Sequence, residues 1–80
     1  MSKYVQNRRS DAMNSSILTE REYEVFSLLL KNKTTTDIAI ILSISEKTVR
    51  NHISNVIQKL GVKNRASAVV ELLKLKEISL

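Results

Sequence analysis

No cysteine occurs in these 80 residues. That removes disulfides, zinc–thiolate sites and thiol chemistry together, and it fits a reducing compartment. Proline and tryptophan are also absent, glycine appears once, and the aromatics are Tyr4, Tyr23 and Phe26 alone. None of the three lies in the basic stretch 45–65, so that stretch offers no platform for stacking single-stranded bases or RNA. One histidine, no glycine-rich loop and too little chain to enclose a pocket argue against an enzyme. No metal, cofactor or small-molecule ligand is expected. No apolar run approaches the ~18 residues of a membrane span. The opening stretch MSKYVQNRRSDAMNSS lacks the apolar block of a signal peptide. The expected location is cytoplasmic, with no membrane contact.

What is present is enough for one small domain. Hydrophobic residues make up 42% of the chain, which allows a single core, though a marginal one without a staple. The formal net charge is +5, and its distribution matters more than its size. Glu20, Glu22 and Glu24 make the first helical segment acidic. From Ser45 to Arg65, the cations Lys47, Arg50, Lys59, Lys63 and Arg65 stand against Glu46 alone. A basic element beside an acidic one suggests a directed polyanion surface.

The stretch SEKTVRNHISNVIQKLG, 45–61, carries most of the information. Ser45 is a good N-cap, and Gly61 suits the left-handed residue that closes a helix. Between them Val49, Ile53, Val56, Ile57 and Leu60 recur at helical spacing and form one apolar stripe. The opposite face bears Lys47, Asn51, Ser54, Asn55 and Gln58, with Arg50 and His52 on its flanks. Amides, hydroxyls and cations are the groups that hydrogen-bond base edges and phosphates.

Around that stretch the pattern predicts three more helices. Residues 1–16 are polar, basic and aperiodic, and read as a tail whose Lys3, Arg8 and Arg9 are more simply solvated than an arm on DNA. A helix over about 20–31 opens on a capping box of Thr19 and Glu22, with Leu18 and Tyr23 as a hydrophobic staple. A short one over 35–42 follows Thr34, with Asp37 at its third position. Leu42–Ser45 is a tight turn whose Ile44 points inward, and Ala39 is small enough for two helices to cross closely. A short helix, a tight turn and a longer basic helix over 46–60 is the layout of a helix-turn-helix. The last helix, capped by Asn64 and running over 65–75, is apolar on two faces: Ala66, Val69, Val70 and Leu73 on one, Ala68, Leu72 and Leu75 on the other. A second apolar face on so short a chain needs a cover. Either a two-fold copy meets it, with Ala68, Leu72 and Leu75 at the interface, or Ile78 and Leu80 fold back over it; the copy is the favoured expectation. The chain is thus expected to be all-α, a four-helix domain over 17–80 with a central helix-turn-helix.

Three blocks in order carry a resemblance. They are Leu18-Thr19-x-Arg21-Glu22-x-Glu24-Val25, then Ile38-Ala39-x-x-Leu42-x-Ile44-Ser45-Glu46-Lys47-Thr48-Val49-x-x-His52, then Gly61-Val62-Lys63-Asn64-Arg65. Over residues 18–75 the chain resembles the LuxR-type helix-turn-helix domain. The resemblance implies a third helix in the major groove of duplex DNA and a fourth that forms a homodimer. It places Arg50, Asn51 and Ser54 at base edges, and Lys47, Thr48, His52, Lys59, Lys63 and Arg65 at or near the phosphates. Thr36 stands where many members have a lysine, which implies a weaker phosphate contact. Asn32 stands where many have glycine, and Tyr23 replaces a residue that is often charged. The runs Ser45–Ser54 and Ala68–Leu73 look especially like single-domain members that control sporulation and spore-coat genes. The implied place of action is the nucleoid, with RNA polymerase as a further partner for an activator. A small helical adaptor that binds a protein through its apolar last helix is the alternative, and the amide- and cation-bearing face of 45–61 weighs against it.

Overall fold

The computed structural model describes residues 17–80, which form α1 (Glu20–Leu30), α2 (Thr35–Leu42), α3 (Glu46–Leu60) and α4 (Arg65–Lys74). No strand occurs among the described residues, so the domain is all-α. The tail over 1–16, with Lys3, Arg8 and Arg9, lies outside them. Every helix starts at a side-chain oxygen that accepts a backbone N–H otherwise left without a partner: Thr19, Thr34, Ser45 and Asn64. At Thr19 and Thr34 the acid three residues on reaches back to the cap's own N–H, which completes two capping boxes.

The helices also stop alike. After each, one residue enters the left-handed region: Asn32 (φ 66°), Ser43 (φ 58°), Gly61 (φ 68°) and Lys76 (φ 60°). The following N–H then reaches back to the carbonyl five residues earlier: Lys33 to Leu28 at 3.1 Å, Ile44 to Ala39 at 3.0 Å, Val62 to Ile57 at 3.3 Å, and Glu77 to Leu72 at 2.9 Å. This closure satisfies carbonyls the helix leaves open. Only Gly61 adopts it without steric cost. Asn32 is the next best choice, because a short amide tolerates the left-handed region.

α3 lies at the centre and packs on each of the other three helices. Its Val49, Ile53 and Val56 meet Val25 and Phe26 of α1, Ile38 and Ala39 of α2, and Ala68 and Leu72 of α4 in one core. Phe26, Ile38, Leu72, Val25, Val49 and Val56 are fully buried, each contributing roughly 1.5–3 kcal/mol by leaving water. Ile44 packs against this core from the turn.

The structure corrects the expected dimer face. Ala68 and Leu72 are fully buried inside their own domain, so neither can meet a partner. Leu75 is exposed, but at ~100° per residue it stands about half a turn round α4 from Ala66 and Val70. The inner stripe of α4 therefore serves the monomer core, and the outward strip is Ala66 and Val70, flanked by half-buried Val69 and Leu73. The competing expectation holds for one residue. Ile78 returns to the core at 3% exposure, whereas Leu80 stays in solvent.

Candidate nucleic-acid interface

Fifteen residues give α3 a length of about 22 Å. With Val49, Ile53 and Val56 committed to the core, its remaining arc is fixed outward. Lys47, Arg50, Asn51, Ser54, Asn55 and Gln58 are all exposed along it. Arg50, Asn51 and Ser54, expected at base edges, thus stand on one open face, within about one turn of one another. Thr48 and His52 are half-buried beside it. The Thr48 N–H donates to the Ser45 hydroxyl at 3.0 Å, and that hydroxyl donates to Thr48 Oγ1 at 2.9 Å.

The flanks come from other helices. A depression of about 330 Å³ is lined by Arg50, Ile53, Ser54 and Ile57 of α3 together with Asn64 and Arg65 at the start of α4. Arg65 Nη1 also donates to the Thr35 hydroxyl of α2 at 3.3 Å. The fold thereby brings Arg65 beside Arg50 although fifteen residues separate them. Lys63 is exposed in the connection just before. Thr36 is exposed as expected, but its hydroxyl donates to Glu46 Oε2 at 3.0 Å. Glu46 in turn pairs with Arg50. Glu46 and Arg50 stand one turn apart on α3, whereas the bond from Thr36 depends on how α2 crosses α3.

Lys59 stands apart from the other cations. Its ammonium donates to the Glu22 carboxylate and, at 2.9 Å, to the Ile17 carbonyl. It ties the end of α3 to the start of α1, which no sequence pattern announced. Burial alone would push the Glu22 carboxyl up. The Lys59 ammonium and the Thr19 N–H outweigh it and hold the group below its ordinary 4.5. Asp37 is lowered too, by the Thr34 N–H and hydroxyl. Both acids therefore bind protons less readily folded than unfolded. Their stabilisation is complete above the unfolded value and fades as pH falls through the folded one. Thermal midpoints are expected to be flat above about pH 5 and to drop below it. The drop should be shallower in Glu22→Gln; an equal acid limb in that variant would remove Glu22 as its source.

Among the described residues no cluster of three or more His, Cys, Asp or Glu could hold a metal ion, and no helix is long and apolar enough to cross a membrane.

Comparison with known proteins places this geometry. Residues 16–72 match the pattern of bacterial regulatory proteins of the luxR family. The chain is 58% identical over 73 residues to the spore germination protein GerE of Bacillus subtilis (strain 168), covering 91% of this chain and 99% of that one. It is 50% identical over 58 residues to the transcriptional regulatory protein DegU of Brevibacillus brevis, covering 72% of this chain but 25% of DegU. A solved structure of the transcription factor GerE superposes with a TM-score of 0.78 at 62% identity, over 80% of this chain and 96% of that one.

Proposed function

This chain belongs to the luxR family of bacterial regulatory proteins and is a DNA-binding transcription regulator; from that premise we propose that it reads a specific duplex sequence as a homodimer, with α3 in the major groove. The observation that carries the proposal is the open face of α3, where Arg50, Asn51 and Ser54 face solvent with nothing acidic beyond Glu46. Arg50 can fork onto guanine O6 and N7, and Asn51 onto adenine N6 and N7. Lys47, Thr48, His52, Lys63 and Arg65 flank that face as phosphate contacts. Thr36 has no proton to donate to a phosphate while its hydroxyl is held by Glu46, and Lys59 serves chiefly the Glu22 pair. By analogy with the spore germination protein, the controlled genes belong to sporulation or the spore coat. An activating role would bring RNA polymerase as a further partner on the nucleoid.

Two half-sites about one helical turn apart, ~34–36 Å, follow for a two-fold dimer. Selection of bound duplexes from a random pool, followed by gel shifts at two salt concentrations, tests the reading. An enriched, paired motif whose binding weakens steeply with salt supports it; no enrichment over the starting pool sinks it.

The dimer is proposed through the outward strip of α4, where Val70 is 52% exposed beside Ala66. Val70→Glu should halve the mass seen in sedimentation equilibrium and leave the helical signal unchanged, since nothing in the core is touched. A variant that stays dimeric rules that strip out.

A further inference from the structure

Glu46 is the one carboxylate on the proposed reading face, and both its oxygens are occupied. Oε2 accepts from the Thr36 hydroxyl of α2 at 3.0 Å, and Oε1 lies 3.4 Å from Nη1 of Arg50, one turn further along α3. The side chains of Arg50 and Glu46 are 61% and 44% exposed, and a pair this open adds little to stability. Its effect is on direction. An arginine on a helix surface samples many rotamers, but a carboxylate held from a second helix offers one fixed point to meet. The other exposed cations of the interface lack such an escort: Lys47, Lys63 and Arg65 take part in no ion pair among the described residues.

We infer that Glu46 is a positioning and specificity-determining residue, which aims Arg50 at a base edge and opposes its use on phosphates. The inference rests on Arg50 reading a base. A guanidinium has five donors, so one engaged by Glu46 leaves a fork free for guanine. The base edge is neutral and meets no repulsion from the carboxylate. A phosphate does meet it, so an approach of Arg50 to the backbone gains less than the same approach by Lys47. Cations that grip any sequence are left bare, and the cation that chooses among sequences carries a counter-charge.

The test compares the wild type with Glu46→Gln, Thr36→Ala, Arg50→Ala and the double variant Glu46→Gln/Arg50→Ala. Each is titrated across salt with a duplex enriched from a random pool and with a scrambled duplex of equal length. Glutamine keeps an oxygen for Thr36 and removes the charge. Glu46→Gln should bind scrambled DNA more tightly, with a salt slope steeper by about 0.9, one phosphate's worth. Its preference for the enriched duplex should fall about three- to tenfold, part of what one forked base contact supplies. Thr36→Ala keeps the charge and frees the carboxylate, so preference should fall with the slope for scrambled DNA unchanged. In the Arg50→Ala background Glu46→Gln should change preference no further. An equal loss on both duplexes, or an unchanged preference in Glu46→Gln and Thr36→Ala alike, overturns the inference. Circular dichroism checks folding, and Thr36→Ala carries the test should Glu46→Gln not fold. Arg50→Ala separates the two levels: if it flattens discrimination at one base pair and Glu46→Gln does not, the positioning role alone falls. If Arg50→Ala leaves preference intact, the base-reading assignment falls with it.

Discussion

Replacing Leu72 by aspartate should leave the chain unfolded at room temperature, not folded and monomeric. The side chain is fully enclosed by the core. Losing a buried leucine's bulk alone costs about 2–5 kcal/mol, and a carboxylate without a partner adds the cost of taking charge from water. A domain of this size has only roughly 3–10 kcal/mol in total, at ~0.05–0.15 kcal/mol per residue. Circular dichroism at increasing temperature checks it: no cooperative transition and little helix are expected. A native melt in this variant would mean that α4 does not close the core. An interface Leu72, as the two apolar stripes of α4 suggested, would have given a folded monomer instead; its full burial reverses that expectation.

Removing Arg50 and Asn51 together should abolish the choice among sequences while leaving binding to DNA in place. Each forked base contact discriminates by about 1–3 kcal/mol. The pair should therefore cost roughly 30-fold to 10⁴-fold on the enriched duplex, with some coupling because the residues are neighbours. Lys47, Lys63 and Arg65 remain, and their contribution is blind to sequence and strongly salt-dependent. Competition between enriched and scrambled duplexes is the measurement, and the two should become equal competitors. Should both lose affinity by the same factor, these side chains hold the backbone and the bases are read by others. Asn51→Ala alone should relax one base position and leave scrambled-duplex affinity nearly intact.

Helix starts and ends were both legible to within a residue, but the left-handed backbone that makes most of the stops was not, for a physical reason. An N-cap is a side-chain oxygen, and Thr19, Thr34, Ser45 and Asn64 announce themselves by residue type. A left-handed stop is a backbone state. It was visible at Gly61, but Ser43 and Lys76 adopt it without any sign in their chemistry. Asn32 was noticed as a departure from glycine, and its φ of 66° supplies the reason the position is restrictive. The open face of α3 followed from periodicity, since Val49, Ile53 and Val56 left one orientation for the rest. Contacts between helices did not follow: the Lys59–Glu22 pair, the Thr36–Glu46 bond and the nearness of Arg65 to Arg50 each depend on a crossing that no spacing encodes.

The corner between α2 and α3 has a consequence for how such a reader can change. Ser43 sits in a backbone region its side chain does not favour, so that residue does not itself prescribe the bend. What holds the bend is the neighbour, Ile44, lodged against the core with its N–H on Ala39. Position 43 must keep a left-handed backbone, which glycine or asparagine would adopt more readily than serine and a β-branched residue would resist, while position 44 must keep an apolar side chain against the core. Variation at the first should alter the firmness of the joint; at the second, it should alter which way α3 faces.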